Sequence, residues 1–285
     1  MKEAFMKTLV VANPERDTGF SVTGKVFETL EKLNIAVLNG KLDRGSLSCS
    51  GAEALLPESD ILIVIGGDGT ILRAAQTAYR AGKPILGINV GTVGYMSSIE
   101  ADELDLLGNL TSGSGYSVEN RMLLNVSVEN GDGNLIFNEN ALNETVISRG
   151  QVTRVLDFDV FCNSRKISSY RADGIILSTP TGSTAYSLSA GGPIVDPGLD
   201  SIIATPVCAH SFNSRSIIFR DDSVISVGIR EDRFLSDNSY LTVDGLKNFK
   251  LSRNDIVRIT RSQHSLGLIK LKNESFYDVL SRKIK

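Results

Sequence analysis

A glycine-rich turn between an apolar strand and a helix is the feature that most limits how this chain can fold. Residues 60–64 are mostly apolar and β-branched, which is typical of a parallel strand buried on both faces. Residues 70–80 have helix-forming composition with an apolar stripe. The turn between them reads Ile65-Gly66-Gly67-Asp68-Gly69. Glycines let backbone N–H groups approach an anion, and a helix start favours negative charge, so this layout predicts a phosphate site.

Asp68 changes what such a phosphate site can do, because a carboxylate repels phosphate unless it holds a metal ion or takes a proton. An acid at the centre of an anion site therefore indicates phosphoryl transfer rather than nucleotide binding alone. The bland alternative is a tight glycine turn in which Asp68 caps the following helix.

Length and charge narrow the class of protein. The chain has 285 residues, enough for a large core and for two domains. Its net charge is −3 and no run of Lys and Arg exceeds two residues, which disfavours nucleic acid and anionic membranes as partners. No apolar run approaches the roughly 20 residues of a membrane span, and the N-terminus has no signal-peptide pattern. We therefore expect a cytoplasmic protein.

Cysteine and histidine are rare in this chain. The three cysteines, Cys49, Cys162 and Cys208, are far apart, which argues against a disulfide framework or a zinc cluster. Only His210 and His264 provide imidazoles, so the sequence disfavours a metal site built on histidine.

The first part of the chain alternates between strand and helix patterns. Predicted strands cover residues 8–12, 35–38, 60–65 and 84–89, and predicted helices cover residues 22–33, 70–80 and 102–110. This βαβ order predicts a Rossmann-like parallel sheet with helices on its faces. Residues 111–115, which are Thr, Ser and Gly, read as a turn or linker.

Period-2 segments dominate after residue 115. Predicted strands cover residues 121–129, 133–139, 141–148, 155–162, 174–178, 216–219, 223–227, 240–243 and 255–260. Two short helices are predicted at residues 184–188 and 275–280. The pattern favours an all-β second domain that resembles a β-sandwich.

Two glycine patterns fall short of known nucleotide motifs. The segment Gly19–Val26 has the spacing of a Walker A loop up to Lys25, but Val26 replaces the hydroxyl residue that should reach Mg²⁺. Residues 87–94 have the wrong glycine spacing for a dinucleotide fingerprint. They still place a glycine-rich turn after a parallel strand, where ligands of open α/β sheets bind.

Two polar clusters lie in the β-rich part. Asn143 and Glu144 combine an amide with a carboxyl, a pair suited to base edges and ribose hydroxyls. On a regular strand they would point to opposite faces, so a shared ligand requires a bulge or a strand end. The block from Arg171 to Pro193 carries many small hydroxyl residues between glycines, which suits a groove for a polar, extended ligand, and Tyr186 offers a ring for stacking.

Together these motifs resemble the NAD kinase family. The resemblance rests on Gly66-Gly67-Asp68-Gly69-Thr70, on Gly87-Ile88-Asn89 with Gly91 and Gly94, on Asn143-Glu144, and on the long block from Asp173 to Pro193. Order and spacing agree from about residue 60 to residue 220. The first motif is shared with lipid kinases and 6-phosphofructokinases, whereas the hydroxyl-rich block combined with the upstream Asn-Glu pair is specific.

The resemblance implies a fold and a reaction. It implies an α/β domain (residues 1–118), a β-rich NAD-binding domain (residues 119–260) and a C-terminal segment that returns to the first domain (residues 261–285). The reaction is transfer of the terminal phosphoryl group of ATP, or of polyphosphate, to the 2′-hydroxyl of the adenosine ribose of NAD. A divalent metal, Mg²⁺ or Mn²⁺, takes part, and family members commonly form homodimers or homotetramers.

The resemblance also assigns roles to residues. Asp68 is the general base, Asn143 and Glu144 hold the adenosine half, and Asp173 contacts the nicotinamide side. The expected phosphate loop is Gly66, Gly67, Gly69 and Thr70. The residues expected to bind NAD are Asp68, Gly69, Arg73, Asn143, Glu144, Arg154, Arg171, Asp173, Thr181, Thr184, Ala185, Tyr186, Ser187, Leu188, Ser189 and His210. A weaker alignment puts His210 and Arg215 where the family has an NAD-contacting residue and an arginine. The metal ligands are not defined, and Asp68 and Glu144 are the available acids.

The chain departs from the family pattern at two places. Tyr95-Met96 follows Gly94 where many members carry an aromatic pair, and Leu246 stands where a polar contact residue is frequent. Two other functions compete with NAD phosphorylation. A kinase for a lipid or sugar phosphate explains the first motif but leaves the hydroxyl-rich block unused. A non-catalytic dinucleotide sensor explains the grooves but gives Asp68 no task.

Overall fold

The chain folds into two units, and the second is inserted in the first. The first unit ends at Arg121 and resumes at Ser265, and the second comprises Met122–His264. The structure, a computed structural model, describes residues 6–92, 94–112, 114–150, 155–210, 214–230, 239–252 and 254–283. Among these residues, no helix is long and apolar enough to cross a membrane.

Parallel strands build the sheet of the first unit. In chain order they are β1 (Lys7–Ala12), β2 (Ala36–Val37), β3 (Ile61–Gly66), β4 (Ile85–Asn89) and β5 (Ile99–Glu100). The hydrogen-bonded order is β2-β1-β3-β4, and β5 pairs with β4. Every residue of β3 and β4 is buried, which explains why both are continuous apolar runs rather than alternating ones.

Before residue 121 this unit has three described α-helices, and polar side chains satisfy the first amides of the first two. They are α1 (Ser21–Lys32), α2 (Cys49–Glu53) and α3 (Asp68–Ala78), with 3₁₀ turns at Thr18–Phe20, Leu56–Glu58 and Leu104–Thr111. The buried Asp17 carboxylate accepts the N–H groups of Val22 (2.8 Å) and Thr23 (2.9 Å) at the start of α1. Val26 and Leu30 continue the buried stripe of that helix.

Antiparallel strands build the second unit. They are β6 (Ser117–Glu129), β7 (Leu135–Ala141), β8 (Glu144–Arg149), β9 (Leu156–Cys162), β10 (Arg165–Ala172), β11 (Gly174–Ser178), β12 (Ser201–Val207), β13 (Ile217–Arg220), β14 (Ile225–Ile229), β15 (Ser239–Val243), β16 (Lys247–Leu251) and β17 (Ile256–Lys270). A 3₁₀ turn at Thr181–Thr184 and the short helix α4 (Tyr186–Ser189) follow β11.

These strands pack as two sheets around one core. One sheet has the order β13-β12-β11-β8-β15-β16, and the other contains β10-β9-β14-β17 with the β6–β7 pair. Phe158 and Val227 from one sheet and Ile147 and Ile175 from the other lie in the same buried cluster. The unit is therefore a β-sandwich, with the alternating inward residues expected of that architecture.

The end of the chain completes the first unit. Leu268, near the end of β17, pairs in parallel with Ile85 of β4. Helix α5 (Phe276–Lys283) follows and begins at Ser275, whose hydroxyl accepts the N–H of Asp278. The predicted fold class is confirmed: an α/β unit with a parallel sheet, a β-rich unit, and a chain end that returns to the first.

Several elements differ from the sequence prediction. Helix α3 begins at Asp68 rather than residue 70, and residues 104–111 form a 3₁₀ helix. Strands β10, β12 and β16 are not predicted by the alternation of apolar and polar residues. β12 is buried at six of its seven positions and contains Pro206, so it shows neither a period of 2 nor an uninterrupted β-branched run.

The side chain of Asn39 substitutes for a strand partner beside β1. β2 has only two residues, and beyond it the buried Asn39 amide accepts the N–H of Val10 (2.9 Å) and donates to its carbonyl oxygen (2.6 Å).

Asn39→Ala should therefore lower the free energy of unfolding by about 2–4 kcal/mol, since two buried backbone groups lose their partner. Denaturant unfolding measures the change. Asn120→Ala on an exposed strand position is the control and should cost less than about 0.5 kcal/mol; an equal loss in both variants would contradict this role of Asn39.

Candidate active site

A cleft lies at the carboxyl ends of three neighbouring parallel strands of the first unit. Asn13 follows β1, Gly67 follows β3 and Val90 follows β4, and all three line it. Ligands of open α/β sheets bind at this edge. The cleft has a volume of about 360 Å³ and is lined by Asn13, Glu15, Arg16, Gly67, Asp68, Gly69, Thr70, Arg73, Val90, Thr92, Gly94 and Lys283.

The carboxylate of Asp68 is oriented by backbone amides rather than by the helix it begins. Gly67 is the cap of α3, and Asp68 is its first helical residue and makes no capping bond. Its Oδ2 accepts the N–H of Tyr95 (2.9 Å) and its Oδ1 accepts the N–H of Met96 (3.1 Å). The alternative in which Asp68 caps the helix is therefore wrong. Each oxygen keeps a lone pair for a ligand in the cleft.

Two glycines allow this close arrangement. A Cβ on Gly94 would come within 2.5 Å of Asp68 Oδ1 and of Ser97 Oγ, so any side chain there would displace the carboxylate. Gly66 adopts φ +156°, and a Cβ on it would come within 2.5 Å of Thr70 Oγ1. Thr70 in turn accepts a hydrogen bond from Asn13 Nδ2 (3.3 Å). The predicted phosphate loop is thus held together by the packing of Gly66 on Thr70 and by the hydrogen bond from Asn13.

Three cationic side chains line the same cleft as Asp68. Arg16, Arg73 and Lys283 all line the cleft. Arg16 lies against the backbone of Gly91, where a Cβ would be 3.0 Å from its Nη1. Within the described part of the chain, none of the three forms an ion pair with a carboxylate. A cleft that combines unpaired cations with a helix N-terminus is suited to a phosphate chain.

A second group of predicted residues lies at one end of a sheet in the second unit. Glu144 begins β8 and pairs in register with Ser178, the last residue of β11. Asp244 directly follows β15, the strand on the other side of β8. Asn143 precedes β8, so the strand end that a shared ligand requires is present.

The turn that carries Asn143 and Glu144 is clamped by its neighbours. The buried Asp244 carboxylate accepts the N–H groups of Leu142 (2.8 Å), Asn143 (2.9 Å) and Glu144 (3.1 Å). From the other side, the Thr179 hydroxyl donates to the Leu142 carbonyl (2.6 Å) and the Thr179 N–H donates to the Asn143 carbonyl (2.9 Å). The backbone of the turn is therefore satisfied without using its two functional side chains.

Those side chains leave polar atoms buried without a partner. Asn143 Oδ1, Glu144 Oε2 and Ser178 Oγ are buried and make no hydrogen bond with any residue that the structure describes. Buried polar atoms are normally paired, so a group of orphans at one sheet end indicates a place for a ligand. Burial, and secondarily the neighbouring Asp244 carboxylate, raises the pKa of Glu144 to about 8. At neutral pH this carboxyl can donate one hydrogen bond and accept others.

The remaining predicted residues of this unit occupy two places. Asp173 precedes β11, and its carboxylate pairs with Arg149 Nη2 (3.0 Å), with both side chains about a quarter exposed. Arg171 is exposed on β10, and its carbonyl accepts the N–H of His210 (2.8 Å). His210 therefore lies next to the Arg171–Asp173 segment in space, although it is far from it in sequence. Arg154 lies outside the described residues.

The hydroxyl-rich block forms the short helices after β11. Gly182 lies against the Asn143–Glu144 turn, because a Cβ on it would overlap the carbonyl oxygen of Asn143. Ser187 is buried and shares a hydrogen bond with Thr205 (3.1 Å), so its hydroxyl serves the fold. Tyr186 is 46% exposed, which leaves its ring open for stacking. The members of this block that were predicted to bind NAD are Thr181, Thr184, Ala185, Tyr186, Ser187, Leu188 and Ser189.

The residues of the cleft allow a divalent ion that arrives with phosphate. Among the described residues, no cluster of three His, Cys, Asp or Glu side chains could hold a metal by itself. Mg²⁺ commonly binds through one or two carboxylates plus phosphate oxygens, and Asp68 and Glu15 line the same cleft. Because Glu144 is largely protonated at neutral pH, it is the poorer ligand of the two acids that the sequence offered.

Some residues of these sites have no sequence signal. Asp244 belongs to a turn between two strands, and Asp-Gly is ordinary there. Lys283 lies in the last turn of a short helix, where a basic residue is expected for the helix dipole alone. Neither pattern shows that Asp244 reaches a turn about 100 residues away or that Lys283 lines a cleft formed by residues 13–94.

The buried Glu144 should make stability depend on pH. The folded protein keeps its proton up to a pKa of about 8, whereas the unfolded chain releases it near the ordinary value of 4.5. This contribution is complete below about pH 4.5 and is lost as the pH rises towards 8. The unfolding free energy of the wild type relative to Glu144→Gln should therefore fall by up to about 1.4 kcal/mol per pH unit in that window.

Denaturant unfolding of both proteins from pH 5 to pH 8 measures this difference. Glu129→Gln is the control of opposite sign, because the hydrogen bonds from Arg258 hold the pKa of Glu129 below its usual range. Its stabilising contribution is lost only as the pH falls below about 4.5. A wild-type minus Glu144→Gln difference that stays constant from pH 5 to 8 would show that Glu144 ionises normally.

Comparison with known proteins identifies the family of this chain. A family model described as the ATP-NAD kinase N-terminal domain matches residues 51–109, and one described as the ATP-NAD kinase C-terminal domain matches residues 142–271. The NAD kinase of Caldanaerobacter subterraneus subsp. tengcongensis is 42% identical over 82% of this chain and 81% of its own. The NAD kinase of Symbiobacterium thermophilum is 37% identical over 98% of both chains.

Two solved structures share the fold over nearly the whole chain. A yeast NADH kinase complexed with NADH superimposes with a TM-score of 0.84 at 21% identity, covering 99% of this chain and 88% of that one. An NAD kinase from Archaeoglobus fulgidus in complex with ATP gives a TM-score of 0.76 at 25% identity and 98% coverage of both. The resemblance inferred from the motifs is confirmed, and the chain belongs to the NAD kinase family.

Proposed function

We propose that this protein transfers the terminal phosphoryl group of ATP to the 2′-hydroxyl of the adenosine ribose of NAD, which gives NADP. The observation that carries the proposal is the oriented Asp68 carboxylate in a cleft lined by cations. In a site that only binds phosphates, an acid repels them unless it holds a metal ion. A phosphoryl transferase needs an acid, because a ribose hydroxyl is a poor nucleophile at neutral pH.

Asp68 acts as the general base in this mechanism. It takes the proton of the ribose hydroxyl as the hydroxyl oxygen attacks the terminal phosphorus and the bond to the leaving oxygen breaks. The bonds from the N–H groups of Tyr95 and Met96 keep its oxygens aligned during this step. Arg16, Arg73 and the N–H groups at the start of α3 stabilise the negative charge on the phosphate oxygens.

The second unit supplies the binding of NAD in this proposal. The amide of Asn143 and the protonated carboxyl of Glu144 pair with the adenosine half, where their buried orphan atoms would gain partners. Tyr186 contributes an open ring face, and Asp173 with Arg171 acts on the nicotinamide side. These roles follow the family resemblance and are supported by the orphan atoms.

A divalent ion, Mg²⁺ or Mn²⁺, completes the proposed donor site. Glu15 and Asp68 are the acids that would hold it together with phosphate oxygens. When bound, it would neutralise phosphate charge during transfer. Polyphosphate is an alternative donor, since the cleft residues address phosphates rather than a base. The family resemblance also favours a homodimer or homotetramer.

Asp68→Asn should keep the fold and NAD binding but lower turnover by roughly 10²–10⁴-fold, the usual contribution of general acid–base catalysis. The measurement is NADP formation from NAD, ATP and Mg²⁺, with NAD affinity from calorimetric titration. Asp105→Asn is the matched control, since it removes an exposed carboxylate of the same unit away from the cleft lining and should leave turnover close to that of the wild type. Turnover of Asp68→Asn near that of the wild type would remove the base from the mechanism.

The same assay tests the competing functions. The protein should phosphorylate NAD but neither diacylglycerol nor fructose 6-phosphate. Phosphorylation of either compound without any phosphorylation of NAD would favour a kinase for a lipid or sugar phosphate. Binding of NAD without any product from ATP or polyphosphate would favour a sensor.

Asp173 and Asn143 should separate the two ends of NAD. Asp173→Ala should weaken NAD binding and leave AMP binding almost unchanged, because AMP lacks the nicotinamide half. Asn143→Ala should weaken both ligands, since the lost bonds belong to the shared half. Each loss should be about 1–3 kcal/mol, measured by calorimetric titration.

Arg149→Gln is the control for the Asp173 variant. It breaks the Arg149–Asp173 ion pair from the other side and leaves the Asp173 carboxylate in place. If Asp173 contacts NAD, only Asp173→Ala should lose affinity for NAD while keeping its affinity for AMP. Equal losses for NAD and AMP in Asp173→Ala, repeated in Arg149→Gln, would reduce Asp173 to a structural residue.

A further inference from the structure

The C-terminal helix brings a lysine to the donor cleft. Helix α5 begins with a reciprocal cap, in which the Asp278 carboxylate accepts the N–H (2.9 Å) and the hydroxyl (2.6 Å) of Ser275. At the other end of the helix, Arg282 pairs with Glu274 (2.5 Å). Lys272, just before the helix, pairs with Glu103 (2.7 Å). These bonds fix the helix on its own unit.

The ring of Tyr95 is held by this helix. Phe276 contacts it with ring centroids 6.1 Å apart, and Lys283 Nζ lies 3.8 Å from its centroid. The backbone N–H of the same Tyr95 binds the Asp68 carboxylate. The helix therefore supports the loop that orients the base, and its last described residue faces the cleft.

Lys283 differs from the neighbouring cation of the helix. Arg282 has a carboxylate partner, whereas Lys283 has none among the residues described here and rests on an aromatic face. Burial lowers the pKa of Lys283, and the Asp68 carboxylate opposes that shift. Stabilising the dipole of a helix requires a charge near its end but no particular direction. It does not explain why this ammonium group lines the cleft.

A phosphate chain is the ligand that this position fits. The lysine side chain is a compact charge on a flexible four-carbon stem, so its ammonium group can turn from the ring to an oxygen of a ligand in the same cleft. Charge-assisted hydrogen bonds to phosphate are stronger than contact with a partly exposed aromatic face. Arg16, Arg73 and Lys283 would then contact the phosphates from different sides of the cleft.

We propose that Lys283 binds the phosphate chain of the donor and is held over Tyr95 until that chain enters the cleft. The inference rests on the proposed function, since it assigns a residue to the donor of that reaction. It concerns the phosphates rather than the nucleoside. Loss of the ammonium group should therefore affect ATP and inorganic tripolyphosphate alike and leave NAD unaffected.

The test compares Lys283→Gln, Lys283→Arg and the control Arg282→Gln. Lys283→Gln should raise the KM for ATP about ten- to hundredfold, the range for one hydrogen bond to a charged group, with kcat and the KM for NAD within about threefold of wild type. Lys283→Arg keeps the charge and should restore most of the loss. Arg282→Gln removes the same charge from the same helix end and should leave the KM for ATP within about twofold.

A titration with tripolyphosphate keeps this inference distinguishable from the proposed function. Tripolyphosphate binding is measured by calorimetry without turnover and should weaken in Lys283→Gln by the same factor as the KM for ATP. An unchanged tripolyphosphate affinity would overturn the inference even if the wild type makes NADP. A wild type that makes no NADP would overturn the proposed function, while the titration would still decide the role of Lys283.

A structural role for Lys283 predicts another pattern. If the lysine only supports Tyr95 and through it Asp68, Lys283→Gln should lower kcat and leave tripolyphosphate binding intact. Melting curves of all three variants detect a loss of folding. A fall in kcat with no change in the KM for ATP, at an unchanged melting temperature, would contradict phosphate binding.

Discussion

The candidate catalytic centre depends on two backbone N–H groups that hold one carboxylate. Tyr95 and Met96 donate to the two oxygens of Asp68, and they reach it because Gly94 has no side chain in the way. A carboxylate bound by amides of a folded loop has one orientation, which is what a general base needs. Gly66 and Gly94, which leave room for Thr70 and Asp68, and the packing of α5 against the ring of Tyr95 belong to the same arrangement.

The second unit also contains a carboxylate that accepts hydrogen bonds from backbone amides. Here the carboxylate fixes the backbone of a turn, whereas in the first unit the backbone fixes the carboxylate. The Asp244 carboxylate binds three consecutive amides, and Thr179 binds the carbonyl groups of the same turn. The backbone that carries Asn143 and Glu144 is thereby fixed, while Asn143 Oδ1 and Glu144 Oε2 have no partner among the described residues. A buried site that is rigid but unsatisfied loses little conformational entropy when a ligand supplies the missing partners.

The candidate sites of the two units differ in charge. The cleft of the first unit presents cations and a helix start around one acid, which favours a highly charged phosphate chain. The sheet end of the second unit presents an amide, a hydroxyl and a carboxyl that is largely protonated at neutral pH, which favours the neutral, polar edges of a nucleoside. The two sites thus differ in the chemical class of ligand that their charges favour.

The sequence determined the elements that rest on local patterns. Continuous apolar runs gave β3 and β4, the glycine turn gave the start of α3 to within two residues, and the motifs led to the NAD kinase family. Strands β10, β12 and β16 were missed because the side chains of a strand are set by what covers each face, and an interior strand such as β12 has no exposed face to mark its period. Only the tertiary structure decided which distant groups meet. The amides of Tyr95 and Met96 lie 27 and 28 residues from Asp68, Asp244 lies about 100 residues from the turn it clamps, and Lys283 arrives from the last helix. No spacing along the chain encodes these contacts, because they follow from which strands become neighbours in a sheet.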